Sequence, residues 1–237
     1  MTPVTATPIQ SRALRLSVAG AGTVGARFET PAAASAGFVF AHGAGAGMDH
    51  PFMTAFATGL HARGIATLRF QFPYMERGSR RVDSHGVAED TVHAAVAEAN
   101  RLLPGLPLLA GGKSYGGRMT SRAAAASPLP GVVGLVFVGF PLHSAERPGV
   151  ERAAHLAAVA LPMLFLQGTR DDLADLALLR PVLASLGGRA SLATFDDADH
   201  GFHVRVASGS TDSLTRVAML DTVVSWSRTL PGVAASG

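Results

Sequence analysis

Apolar and polar residues alternate twice near the start of the chain, in ALRLSV and again in VGARFET. A period of two sends successive side chains to opposite faces, so both segments are expected to be strands, joined by the glycine-rich AGAG turn. The later apolar runs are different. GFVFAHG over 37–43, IATLRF over 65–70, LPLLAGG over 106–112, GLVFVGF over 134–140 and LPMLFLQG over 161–168 are short and almost wholly apolar. Such runs suit central strands covered on both faces. SLATFDD supplies a final strand. Between these runs the apolar spacing becomes helical, around 51–63, over 85–103, after Ser114, from Leu173 to Leu186 and over 212–229.

Beyond the opening pair, strand and helix take turns. That order predicts an α/β fold: a mostly parallel sheet of about seven or eight strands with helices on both faces. The 237 residues fit one domain, expected over 13–230, with a flexible lead-in at 1–12 and a flexible tail at 231–237. In sheets of this kind reactive groups gather in loops just past the carboxyl ends of the strands. The chemistry is sought there.

Composition narrows the classes. Hydrophobic residues make up 48 % and charged ones 16 %, which supplies a large core and argues against disorder. No apolar run reaches the roughly 18 residues a bilayer demands, so no membrane partner is expected. MTPVTATPIQSR lacks the basic start and apolar stretch of a signal peptide. The absence of cysteine excludes disulfides and thiolate metal sites and makes cytoplasmic residence the expectation. The net charge of +3 is spread over scattered arginines. Arg77, Arg80 and Arg81 form the one tight basic cluster, and no aromatics interleave it. A solvated loop is the favoured reading over a nucleic-acid patch; contact with an anionic part of a substrate is the alternative. The single lysine, Lys113, is given no catalytic role.

Gly112-Lys113-Ser114-Tyr115-Gly116 is a G-x-S-x-G pattern between an expected strand and an expected helix. A serine on that sharp turn has a strained backbone and an exposed hydroxyl, and a side chain two residues to either side would strike a neighbouring element. The helix that starts there turns its positive end toward developing negative charge. A serine hydroxyl also needs a base. Thr169-Arg170-Asp171-Asp172 follows one buried strand, and Asp197-Ala198-Asp199-His200-Gly201-Phe202 follows the last. His200 then takes the Ser114 proton and Asp171 fixes its tautomer. Asp171 is favoured over Asp172 and Asp175, since an aspartate after a strand also caps helices. His200 is set apart from His42, His50, His143 and His203 by its strand-end position and the glycine after it.

Two backbone N–H groups are required for the oxyanion. Tyr115 is expected to give one. The loop Ala41-His42-Gly43-Ala44-Gly45-Ala46-Gly47 gives the other, from Ala44 first and Gly45 second. Other motifs carry less. Gly20-Ala21-Gly22-Thr23-Val24-Gly25 fits a dinucleotide fingerprint, but no helix pattern follows it, so a hairpin turn is expected. Gly112-Lys113-Ser114 lacks the upstream glycine of a phosphate-binding loop, where Pro107 stands instead. No metal-ligand spacing is found, and neither a metal nor another cofactor is expected.

FAHGAGAGMDHPFM, AGGKSYGGRM, LQGTRD and ADHGF, taken in order, resemble the small bacterial α/β-hydrolases related to the dienelactone hydrolases, in a serine-nucleophile form. Dienelactone hydrolase itself uses a cysteine. The resemblance runs from Phe38 to the C-terminal helix. It implies a Ser114–Asp171–His200 triad that cleaves a carboxylic ester or related acyl bond through an acyl-enzyme, with a small-molecule acyl substrate and water as partners. Peptidase, thioesterase or acyltransferase activity would use the same groups, and a non-catalytic scaffold is the remaining alternative. Relatives often insert a lid where PLHSAERPGVERAAHLAAVA stands, and this stretch has room for one helix. An open site without a large cap domain is therefore expected. Phe140, Leu142, His143 and Tyr74 are candidates to line it, with ordinary core packing as the alternative.

Overall fold

A computed structural model describes residues 11–233. Its eight strands are β1 (Ser11–Val18), β2 (Gly22–Glu29), β3 (Ala36–Ala41), β4 (Ile65–Phe70), β5 (Leu108–Lys113), β6 (Val132–Val138), β7 (Met163–Gly168) and β8 (Ala190–Phe195). They form one sheet in the order β1-β2-β4-β3-β5-β6-β7-β8. β1, β2 and β4 pair antiparallel, and every other pairing is parallel. Val18 pairs with Gly22 across the AGAG turn, so the dinucleotide-like glycines close a hairpin. Most of the expected lead-in and tail, residues 1–10 and 234–237, lies outside the described residues; Ser11 and Arg12 already belong to β1.

The helices are α1 (Pro51–His61), α2 (Pro73–Glu76), α3 (His85–Leu102), α4 (Tyr115–Ala126), α5 (Leu176–Ser185) and α6 (Asp212–Ser227). α5 starts three residues later than its apolar spacing suggests, because the Asp175 side chain caps it by accepting from the Ala177 N–H at 2.8 Å. α2 is a single turn that was too short to show a period.

The buried strands divide cleanly by alternation. Val39, Ala110, Leu135, Phe137 and Phe165 pack with Val92, Met119 and Leu179 of α3, α4 and α5. Phe38, Phe40, Leu109, Val136 and Leu166 point the other way, onto Phe56 and Leu60 of α1 and Met219 and Val223 of α6. One apolar run thus feeds two cores, as strands covered on both faces must. α1 and α6 approach closely at Gly59, where a Cβ would lie 2.3 Å from a Leu220 methyl. Between β6 and β7 stands only a 3-10 run, Glu151–Ala158, where one helix was expected; no large cap domain covers the sheet.

One charged pair interrupts the apolar layer beneath α1. Arg69 of β4 is 1 % exposed and donates to Glu29 of β2 at 2.7 Å. Its guanidinium also donates to the Met48 carbonyl at 2.8 Å and the Thr54 hydroxyl at 3.0 Å. The pair therefore ties β2 and β4 to the segment that enters α1.

Candidate active site

Ser114 lies between β5 and α4 with φ 50° and ψ −115°, a conformation that costs a non-glycine residue energy. The turn is tight enough to require its glycines. A Cβ on Gly112 would stand 2.4 Å from the Ala41 carbonyl oxygen, and one on Gly116 would stand 2.5 Å from the same atom. The Ser114 N–H is held by the Val138 carbonyl at 3.0 Å.

The three separated loops meet here. His200 Nε2 is 2.8 Å from Ser114 Oγ, and its Nδ1 is 2.7 Å from Asp171 Oδ2. Asp171 is buried, and its other oxygen accepts from the Leu173 N–H at 2.8 Å. Asp172 is exposed, and Asp175 is occupied as the α5 cap. Among the three carboxylates considered from sequence, only Asp171 reaches the imidazole.

Gln167 was not anticipated. Its amide donates to Asp171 Oδ2 and accepts from the Phe140 N–H at 3.0 Å, so it aims the carboxylate from behind. A lone glutamine at the end of the apolar run LFLQG was the available signal. The His200 loop is shaped by Asp199, which accepts from the N–H groups of Gly201 and His203 at 2.7 and 2.9 Å. Phe202 in that loop has a positive φ of 65°.

The glycine-rich loop after β3 passes beside Ser114: a Cβ on Gly43 would sit 3.8 Å from Ser114 Cβ. Among the described residues, the N–H groups of Ala44 and Tyr115 have no hydrogen-bond partner. Gly45 differs, since its N–H donates to the Tyr74 hydroxyl at 3.1 Å. That bond removes Gly45 as a free donor and corrects the expectation for Tyr74, which is fully buried and braces this loop instead of lining a cleft.

His42 anchors the same loop from below. Its Nδ1 meets the Gly43 carbonyl at 2.8 Å, and its Nε2 accepts from the Phe72 N–H at 3.1 Å. Burial pushes this imidazole down to about 4, against the Gly43 bond, which favours the charged form. His155, bonded to Ser121 at 2.7 Å, is likewise pushed to about 4, by burial first and then by Arg122 and Arg118. In the unfolded chain both would protonate near the usual ~6.5. Between that pH and about 4 the unfolded state binds protons that the native state refuses, so stability falls on acidification, by up to ~1.4 kcal/mol per pH unit for each fully shifted group. The melting temperature is expected to drop steadily through this range. A flat profile in calorimetry would contradict the neutral state of these rings.

A cleft of about 680 Å³ opens over Ser114. Phe52, Met53, Leu173 and Phe202 give it apolar walls, and His203, Asp212 and Arg216 bring charge to it. Phe140, Leu142 and His143, candidates for the lining, take the alternative of core packing. Phe140 is fully buried against Phe137 and Phe165, with ring centroids 5.5 and 5.6 Å away. Leu142 is also in the core, and His143 is spent on the Asp175 N–H at 3.0 Å. Phe140 and Leu142 join the core that packs with α3, α4 and α5. The walls come instead from α1, from α6 and from the loops after β3, β7 and β8.

Solved structures share this architecture. A lid-less α/β serine hydrolase from Xanthomonas campestris superposes with a TM-score of 0.74 at 23 % identity, covering 97 % of this chain and 99 % of that one. A dienelactone hydrolase from Anabaena variabilis also gives 0.74, at 21 % identity and with coverage of 94 % and 98 %. An esterase domain from Rhodothermus marinus gives 0.68 at 17 % identity, covering 93 % and 99 %. At such identities the likeness is one of fold. The sequence itself matches the α/β hydrolase domain family over residues 34–228, a span that contains the serine turn, the aspartate after β7 and the histidine after β8. The chain therefore belongs to the α/β-hydrolase family.

Proposed function

We propose that the protein is a serine hydrolase that cleaves carboxylic esters or closely related acyl bonds. The observation that carries this reading is the unbroken hydrogen-bond line from Ser114 through His200 to a buried Asp171. In this mechanism Ser114 Oγ attacks the acyl carbon while His200 Nε2 takes its proton. The Nδ1–H of His200 donates to Asp171, which keeps the tautomer correct and stabilises the imidazolium. The oxyanion accepts from the N–H groups of Ala44 and Tyr115, at the positive end of α4. His200 then returns the proton to the leaving alcohol, and the acyl group stays on Ser114. A water attacks that ester with His200 again as base, releasing the acid and restoring the serine.

The apolar walls favour an acyl or alcohol portion with a hydrocarbon body. A fluorophosphonate probe tests the reading, because it captures a serine only when its hydroxyl is activated. Labelling at Ser114, with turnover across a panel of acyl esters, thioesters and peptides that is best on the esters, is the expected result. A wild-type protein that resists the probe would mark the fold as a scaffold.

A further inference from the structure

Lys113 precedes the serine, yet its side chain leaves the strand to meet a loop 87 residues away. Its ammonium donates to the backbone carbonyl of His200. It sits 5.5 Å from the centre of the Phe202 ring and 6.0 Å from that of Phe52. It also lines the cleft beside Ser114. We propose that Lys113 is a positioning residue: its ammonium ties the strand that carries Ser114 to the loop that carries His200, and so keeps the imidazole on the line between serine and aspartate. This inference rests on the reading of Ser114 as nucleophile.

The physical case is one of necessity. The His200 loop contains Phe202 in a left-handed backbone conformation, which a large side chain adopts only when its surroundings impose it. Lys113 holds that segment at two points, the carbonyl of His200 and the ring of Phe202 itself. A charged amine held among aromatic rings is costly to bury, and a methionine would fill the same space more cheaply. What the lysine adds is a directed donor strengthened by charge.

The charged groups facing it are Asp171 after β7 and Asp199 and His203 after β8; β6 ends beside it in Gly139, and α1 presents the ring of Phe52. Burial pushes the ammonium down to about 8, against the pull of Asp171 and Asp199 toward the charged form. Protonated below that pH, the brace is charged and firm. Above it the neutral amine makes a weaker bond and loses its attraction to the rings.

The test compares wild type, Lys113→Arg and Lys113→Met between about pH 6 and 10, by the rate of fluorophosphonate labelling and by kcat and KM for p-nitrophenyl butyrate. The wild type is expected to decline above pH 8. Lys113→Arg, which keeps its charge throughout, is expected to stay within a few-fold of wild type at neutral pH and to lack the decline. Lys113→Met is expected to lose roughly tenfold in kcat at neutral pH, with KM little changed and no alkaline limb. A methionine variant as fast as wild type, or an alkaline limb common to all three, overturns the brace while leaving the serine hydrolase reading intact. A wild type that takes up no probe overturns both. Thermal melts of each variant separate a loosened site from an unfolded one.

Discussion

Ser114→Ala is expected to lower acyl hydrolysis by on the order of 10⁶-fold while the protein stays folded. The loss is large because in the proposed mechanism the hydroxyl is the attacking atom and no neighbouring group can replace it. The fold survives because the turn is fixed by backbone bonds, Ser114 N–H to Val138 and Arg118 N–H to Ser114, that alanine retains. Any background rate should resemble that of the oxyanion donors acting on bound water. His200→Ala should cost nearly as much, and the double variant little more, since members of such a unit do not contribute additively. Turnover of an ester that the wild type hydrolyses, measured beside a thermal melt, checks this. Wild-type turnover in Ser114→Ala would end the proposed mechanism.

The largest expected effect on stability lies at Arg69. Arg69→Met is expected to destabilise the protein by about 3–5 kcal/mol, because Glu29 would be left buried and charged without its partner. The loss also frees the Met48 carbonyl and the Thr54 hydroxyl, so the entry to α1 should loosen. Replacing both residues, Arg69→Met with Glu29→Leu, should recover much of the loss, since the cost of a broken buried pair is mostly the charge left behind. Urea denaturation of the two variants distinguishes these outcomes. If the single variant matched wild type, the pair would be mere filling.

The proposed catalytic groups were legible in sequence for a structural reason. Each stands in the loop past an expected strand, and parallel strands bring such positions to one edge of the sheet. Gly112 and Gly116 were legible too, because the elbow leaves no space for a side chain at either. The order of the strands was not. Nothing in local periodicity says that β4 lies between β2 and β3, since that depends on how the crossover helices pack.

The walls of the cleft were misread for a related cause. Phe140, Leu142 and His143 follow a strand end as His200 does, but a strand-end position fixes where the backbone is and not which way it then turns. The walls that form come from residues such as Phe52 and Arg216, far apart in the chain and joined only when α1 packs on α6. Tyr74, a candidate for the lining with core packing as the alternative, is buried and serves as an acceptor for the Gly45 N–H. Gln167 and Lys113 both stand within motifs read from the sequence, but each shows its use only when its partner, distant or buried, is seen.

The cleft borrows its walls from one side of the sheet. Apart from the serine turn and the loop before α5, its lining comes from the loop after β3, from α1, from the loop after β8 and from α6. The bodies of α3, α4 and α5 form a foundation that contributes nothing to the lining. Exchanges on α1 and α6 can thus reshape what fits while the opposite layer goes on supplying rigidity, and alterations on the two sides should combine with little interference. A protein divided in this way is free to change its diet without rebuilding its frame.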